Sequence, residues 1–180
     1  DVNEAVLTLN SLAAILRKRR FDAGAISFER PEMKVIIDDK GKPVDVVQKI
    51  SKEANWLIEE FMLLANRSVA EFVATGGKMN GRALKNAKTF VYRVHDLPNA
   101  EKLEGLRDFA LTFGHRMEEG ESVTRSLNSL LREVHGTPES APIQMMMLRA
   151  MAKAVYTTEN IGHYGLAFKF YTHFTSPIRR

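Results

Sequence analysis

The chain has 180 residues, of which 44% are hydrophobic and 27% are charged, so it has the composition of a folded domain and not of a disordered tail. It contains no cysteine, which excludes a disulfide partner, a cysteine zinc site and a cysteine nucleophile, and which fits a reducing, cytoplasmic location. The net charge of +4 is too small on its own to indicate nucleic-acid binding, and no apolar run reaches the length of a membrane span.

A first helix is predicted from residue 3 to about residue 21. Its apolar residues Val6, Leu9 and Leu12 recur at helical spacing. The basic run Arg17-Lys18-Arg19-Arg20 falls in the last turn, where positive charge interacts favourably with the helix dipole. This structural explanation is sufficient for the basic run.

Three short runs of β-branched or aromatic residues then predict a β-hairpin or meander, at residues 25–28, 34–37 and 44–47. Phe28, at the end of the first run, has two interpretations. It is either a half-buried residue of the sheet or a platform on which a nucleobase stacks, since an aromatic face holds bases without reading their sequence.

The longest helix is predicted from residue 51 to about residue 74, with a wide apolar stripe that indicates burial in a core. Asn55, Glu59 and Asn66 lie on one flank, because spacings of four and seven return to the same face. Glu59 is either an ordinary surface carboxylate or an acceptor for a ribose 2′-hydroxyl, the group that distinguishes RNA from DNA. Glu60 is the alternative if the register differs by one residue.

The rest of the chain is predicted as a basic loop, a strand, three helices and a partly extended end. The loop covers 76–88, the strand 90–95, the helices 99–113, 122–134 and 142–156, and the extended part 164–171. We assign no function to the loop, and we expect His95 in the strand to be structural. His163 and His173 are ten residues apart with no carboxylate pair nearby, so no metal site is predicted there.

Ser176-Pro177 is typical of a helix start, because Ser caps free amides and Pro suits the first helical position. Arg179 and Arg180 would follow in the first turn. Two arginines beside free helix-end amides favour an anionic group such as phosphate. The alternative is an exposed basic end with no ligand.

Several segments resemble motifs of one known family, in the same order along the chain. They are GAISFERPE at 24–32, LIEEFMLLAN at 57–66, VYRVHDLP at 91–98, IQMMMLRAMAKAVYTTEN at 143–160, and HYGLAF followed by YTHFTSPIRR in the last 18 residues. Together they resemble the ribonuclease II/ribonuclease R family of RNB-domain exoribonucleases, and the ribonuclease R branch most closely.

The resemblance implies an α+β fold, namely the mostly helical portion of an RNB catalytic domain with short antiparallel strands. It also implies that residues 1–180 are a partial domain, which lacks an upstream aspartate cluster and a continuation after Arg180. The first residue, Asp1, is neither an initiating Met nor part of a signal-like segment, and this fits an excised or processed chain.

The activity implied by the resemblance is processive hydrolysis of single-stranded RNA from the 3′ end, with release of nucleoside 5′-monophosphates. Family members use Mg²⁺ ions held by a cluster of the form D.....D.DD, and the ions activate water and neutralise charge. Asp38-Asp39 has no partner aspartate at the required distance before it. We therefore expect this chain alone to be inactive.

The resemblance also suggests roles for single residues. Phe28 matches an aromatic residue that clamps the 3′-terminal bases, and Glu59 matches a glutamate near the terminal nucleotides. Arg179 matches the catalytic arginine at the scissile or terminal phosphate. Asn66 and Arg180 are expected to bind RNA beside them.

Two other classes of protein remain open. One is a non-catalytic RNA- or protein-binding module derived from an RNB domain. The other is a helical scaffold whose basic clusters are solvated surface, with RNA affinity no greater than charge alone gives. No oligomeric state is predicted.

Overall fold

The computed structural model describes six stretches of the chain. They are residues 1–26, 32–49, 51–79, 82–83, 89–117 and 122–175. The predicted site residues Phe28, Arg179 and Arg180 lie outside these stretches, whereas Glu59 and Asn66 lie inside them.

The described residues form five α-helices and three antiparallel sheets of two strands each. The helices are α1 (Val2–Asp22), α2 (Glu53–Ala74), α3 (Ala100–Thr112), α4 (Val123–Glu133) and α5 (Ser140–Ala150). The strands are β1 (Glu32–Ile37), β2 (Pro43–Lys49), β3 (Lys78–Met79), β4 (Arg82–Ala83), β5 (Tyr92–Val94) and β6 (Val155–Thr157). The predicted α+β class, mostly helical with short antiparallel strands, is confirmed. None of the described helices combines the length and the apolar character that a membrane span needs.

Helix α1 begins where Asp1 accepts a hydrogen bond from the backbone N–H of Asn3 at 3.3 Å. It ends at Asp22 and is capped by Ala23, and Gly24 then takes a positive φ of +102°, which residues with a side chain rarely adopt. The helix packs against α2, and this pair carries the predicted site residues Glu59 and Asn66.

The buried face of α2 differs from the predicted apolar stripe. It runs through Glu60, Leu63, Asn66 and Ala70. The apolar residue Ile58 stays about half exposed, although the stripe predicts its burial. Two polar side chains are tolerated on the buried face because other parts of the chain supply their hydrogen-bond partners.

The hairpin of β1 and β2 confirms the second and third predicted strands. Lys34 pairs with Val47, and Val35 with Val46. In the turn, a carboxylate oxygen of Asp38 accepts hydrogen bonds from two backbone amides, each at 2.9 Å. In the first predicted strand, 25–28, residues 25 and 26 are not part of a strand, and the remainder lies outside the described residues.

Helices α3, α4 and α5 enclose the larger apolar core. Its fully buried side chains are Leu106, Leu127, Leu130, Val134, Ile143 and Met147. Of the methionines on α5, Met147 is buried in this core, whereas Met145 is about half exposed. This helical unit stacks beside Tyr164 and so supports the segment that precedes the predicted phosphate-binding end.

Two predictions for the C-terminal third are wrong. The helix predicted for 142–156 ends at Ala150, because Met151 is extended and residues 155–157 form β6, which pairs with β5. The extended part predicted for 164–171 is instead a 3₁₀ turn at Tyr164–Leu166, closed by isolated bridges from His163. Long-range backbone pairing thus overrides the local pattern in both places.

Candidate functional site

Glu59 and Glu60 are neighbours in sequence and have opposite environments. The side chain of Glu59 is 44% exposed, whereas that of Glu60 is 3% exposed. Successive residues of an α-helix point about 100° apart, so one carboxylate faces α1 and the other lies at the edge of the contact. Of the two candidates for an RNA contact, only Glu59 presents its carboxylate to solvent.

Arg20 of α1 binds both carboxylates. Its Nε donates to the two oxygens of Glu60 at 3.2 and 3.3 Å, and its Nη2 donates to Glu60 and, at 3.1 Å, to Oε1 of Glu59. Arg20 is itself buried. Burying charge is expensive unless the partners are paired with good geometry, and here the guanidinium fork satisfies the buried carboxylate. The helix dipole is therefore an incomplete explanation of the basic run.

Arg17 completes this group of side chains. Its guanidinium carbon lies 4.9 Å from the ring centre of Phe21 and 4.7 Å from that of Trp56, and Nη1 is 3.8 Å from Glu60. These distances are within the range of cation–π contacts. We refer to Arg17, Arg20, Glu59 and Glu60 as the Arg–Glu cluster.

Asn66 lies two turns after Glu59 on α2 and is fully buried. Its Oδ1 accepts the backbone N–H of Thr175 at 2.6 Å, and its Nδ2 donates to the carbonyl of Thr175 at 3.1 Å and to the hydroxyl of Tyr171 at 3.4 Å. The amide thus ties α2 to the residue before Ser176. Since no surface of Asn66 is exposed here, this geometry supports an indirect role for it more than a direct RNA contact.

His95 organises the turn at 162–166. The N–H of Gly165 donates to Nδ1 of His95 at 2.9 Å, so the ring proton lies on Nε2 and is donated to the carbonyl of Ala152, also at 2.9 Å. A Cβ on Gly165 would lie 2.9 Å from the same Nδ1, closer than real contacts allow. His95 is therefore structural, in agreement with the prediction.

His163 lies between His95 and Tyr171, with ring centres 5.0 and 5.2 Å away. Burial lowers the pKa of His163 from 6.5 to about 4, and the neighbouring side chains of His95 and Arg93 act in the same direction. Its Nδ1 is buried and has no hydrogen-bond partner among the described residues. His163 is thus neutral at neutral pH.

The described residues do not fit the Mg²⁺ that the family resemblance implies. In the six described stretches, no group of three or more His, Asp or Glu side chains is placed to hold a metal ion. Asp38, one half of the only adjacent aspartate pair in the sequence, uses a carboxylate oxygen to close its own turn. The site on α1 and α2 is accordingly a set of hydrogen-bond acceptors and donors, not a metal centre.

The structure thus brings Glu59 and Asn66 onto one helix, with different partners. Sequence reasoning missed Arg20 as part of the site, because its carboxylate partners lie 39 and 40 residues further along the chain. No local spacing reveals such a pair. The adjacent arginines and the adjacent glutamates were both visible, but nothing in the sequence joins them.

Comparison with known proteins gives consistent matches over the whole chain. The RNB domain profile matches residues 1–180. Ribonuclease R 1 of Lactococcus lactis is 36% identical over 182 residues, which cover 100% of this chain and 21% of that protein. This chain therefore spans about a fifth of the length of that relative.

Solved structures also match. RNase R of Mycoplasma genitalium, in complex with ribose methylated single-stranded RNA, has a TM-score of 0.81 and 25% identity and covers 99% of this chain and 27% of its own. Yeast Ssd1, described as a pseudonuclease, has a TM-score of 0.55 and 24% identity and covers 71% of this chain and 15% of its own. The likeness to Ssd1 is one of fold alone.

Proposed function

The chain belongs to the RNB domain family, and from this premise we propose that it is part of the catalytic domain of a ribonuclease R-like exoribonuclease. The longer protein would degrade single-stranded RNA processively from its 3′ end and release nucleoside 5′-monophosphates, in the cytoplasm. The observation that carries the proposal is the family match over all 180 residues, supported by the 36% identity to a ribonuclease R. The activity belongs to the longer protein, since this chain spans about a fifth of that relative.

In this proposal Glu59 accepts a hydrogen bond from a ribose 2′-hydroxyl near the 3′ end. Its exposed, oriented carboxylate supports this role, because an acceptor that is already held in place loses little freedom on binding. Phe28 stacks on a terminal base, and Arg179 with Arg180 binds the phosphate as charged donors. Asn66 acts indirectly, through the backbone of Thr175.

None of the described residues is assigned as a ligand to the metal ion, because no group of them fits one. The proposal instead places the aspartate ligands outside residues 1–180. It follows that the 180-residue polypeptide is inactive alone, and that Arg179 binds substrate and stabilises developing charge only when those ligands are present.

The test compares the natural full-length protein with the 180-residue polypeptide. Each is incubated with Mg²⁺ and a 5′-labelled single-stranded RNA, or with DNA of the same sequence. We expect stepwise shortening of the RNA from its 3′ end by the full-length protein and no cleavage by the polypeptide. Cleavage by the polypeptide would contradict the assignment of the metal ligands to another segment.

A second candidate is a non-catalytic RNA-binding module. The yeast pseudonuclease Ssd1 shares the fold, so the fold alone does not establish catalysis. If the full-length protein binds RNA better than DNA and leaves the RNA intact with Mg²⁺, the exoribonuclease proposal fails and this candidate replaces it.

A further inference from the structure

We propose that Arg20 is a positioning residue, which holds the Glu59 carboxylate for a ribose 2′-hydroxyl and thereby sets the preference for RNA over DNA. The inference rests on the proposed function, because it takes Glu59 as the group that meets the ribose. It adds a residue of α1 to the predicted site residues Glu59 and Asn66 of α2.

The contact between Arg20 and Glu59 fixes one oxygen and leaves the other available. Nη2 of Arg20 donates to Oε1 of Glu59 at 3.1 Å, and Oε2 has no partner among the described residues. An exposed glutamate without such a contact samples several rotamers, and ordering it on binding costs free energy. The contact with Arg20 removes part of that cost before RNA arrives.

Arg20 can hold Glu59 because other groups fix it independently. It is buried, its Nε is bonded to Glu60, and its guanidinium carbon lies 4.7 Å from the ring centre of Phe21. A guanidinium presents several donors in a rigid plane, so it binds both carboxylates at once. A lysine ammonium in its place lacks this fork and cannot reproduce both contacts in the same geometry.

The same contact reduces an electrostatic conflict. A lone carboxylate repels the phosphates of RNA, and Glu59 has to approach the strand to reach a 2′-hydroxyl. The Arg–Glu cluster balances two carboxylates with two guanidiniums, and the nearer guanidinium lies directly against Glu59. Glu59 therefore offers an acceptor without an unbalanced negative charge.

The experiment measures equilibrium binding of single-stranded RNA, and of DNA with the same sequence, to the natural full-length protein in EDTA, which keeps the RNA intact. The quantity of interest is the ratio of the two affinities. We expect Arg20→Lys to lower this ratio about three- to tenfold, because RNA binding then has to order the freed Glu59 side chain. Arg19→Lys is the matched control, since Arg19 is exposed and precedes Arg20 directly, and it should leave the ratio unchanged.

A double-mutant cycle separates action through Glu59 from a general effect on folding. If Arg20 acts through Glu59, then Arg20→Lys has no further effect on the ratio in the Glu59→Ala background. A full additional loss in that background overturns the proposal. Equal weakening of RNA and DNA binding by Arg20→Lys also overturns it, because that result indicates a structural role only.

A second variant guards against poor folding of Arg20→Lys. Replacing Arg20 and Glu60 together by Met removes the buried pair without leaving a buried charge, an exchange that is often neutral or stabilising. It frees Glu59 and should lower the ratio to the same extent; a folded double variant with an unchanged ratio overturns the positioning role. If Glu59→Ala itself leaves the ratio unchanged, the proposed role of Glu59 is what fails.

Discussion

Arg20 and Glu60 form a buried ion pair, and the loss of either partner has a larger effect than the loss of a surface charge. Glu60 accepts three hydrogen bonds from the guanidinium, and both side chains are nearly inaccessible to solvent. Such a pair adds little net stability compared with an apolar replacement, but the loss of one partner leaves a buried charge unpaired. The pair therefore specifies how α1 meets α2 more than it strengthens the contact.

We expect Glu60→Ala to destabilise the chain by about 3 kcal/mol, because it leaves Arg20 buried without its main partner. Glu59→Ala is the matched control on the next residue, and as an exposed partner it should cost about 0–1 kcal/mol. Urea unfolding of the 180-residue polypeptide, followed by the fluorescence of its single tryptophan, Trp56, measures both. Equal costs for the two variants would contradict the burial argument.

The low pKa of His163 makes the folded chain less stable in acid. Its pKa is about 4 in the folded chain and 6.5 ordinarily, so between pH 6.5 and 4 the unfolded chain takes up a proton that the folded chain refuses. The free energy of unfolding therefore falls as the pH falls through this window. We expect His163→Gln to lessen the drop in melting temperature from pH 6.5 to 4.5. A His163 variant with the same drop as the wild type would refute the assignment.

At the scale of elements, those that depend on strong local patterns were predicted correctly, whereas those that depend on long-range pairing were not. Helices α1, α2, α3 and α4 and the hairpin follow from apolar spacing and turn residues. The end of α5 does not follow from the local pattern, because residues 155–157 pair with a strand more than 60 residues earlier in the chain. Such pairing cannot be recognised from neighbouring residues. The same holds for the burial of the polar residues Glu60 and Asn66 on α2.

The join between α2 and the C-terminal segment depends on one amide. Asn66 makes three hydrogen bonds to Tyr171 and Thr175 from a fully buried position. We expect Asn66→Ala to lower the free energy of unfolding by about 2 kcal/mol, since it leaves the partly buried N–H and C=O of Thr175 and the buried hydroxyl of Tyr171 without this partner. Asn10→Ala is the control and should have almost no effect, because among the described residues the Asn10 side chain makes one long hydrogen bond, to Glu53 at the surface. Urea unfolding of both variants is the measurement, and similar losses would contradict the assignment.

A second join links α3, α4 and α5. The ring nitrogens of His115 lie 2.6 Å from a carboxylate oxygen of Glu133 and 3.2 Å from one of Glu139. Hydrogen bonds to these two carboxylates raise the pKa of His115. Its contribution to stability is therefore fully present below about pH 6.5 and is lost as the pH rises through the raised value. We expect the stability of His115→Gln to be less dependent on pH above 6.5 than that of the wild type, as measured by urea unfolding at pH 6 and pH 8; unchanged pH dependence would refute this.

At the scale of the whole molecule, large apolar side chains are exposed on α1 and on the hairpin. Leu7 and Ile15 on α1, and Val35 and Val46 on the hairpin, are all about half exposed or more. Exposed apolar side chains promote association when they lie together on the surface, and Leu7 and Ile15 share one helix. We expect the 180-residue polypeptide to self-associate with rising concentration in sedimentation experiments. Leu7→Lys should reduce the association more than Ser11→Lys, which adds the same charge at an exposed polar position; equal effects would show that charge alone acts.

The zero net charge of the Arg–Glu cluster has a consequence for ionic strength. Contacts between basic side chains and phosphates release condensed counterions, and this release makes affinity for nucleic acid fall as salt rises. A hydrogen bond from a ribose hydroxyl to Glu59 releases none, and the cluster around it adds no net charge. If Glu59 has the proposed role, added salt weakens binding of RNA and DNA in parallel. The ratio of the two affinities then stays constant over the salt titration.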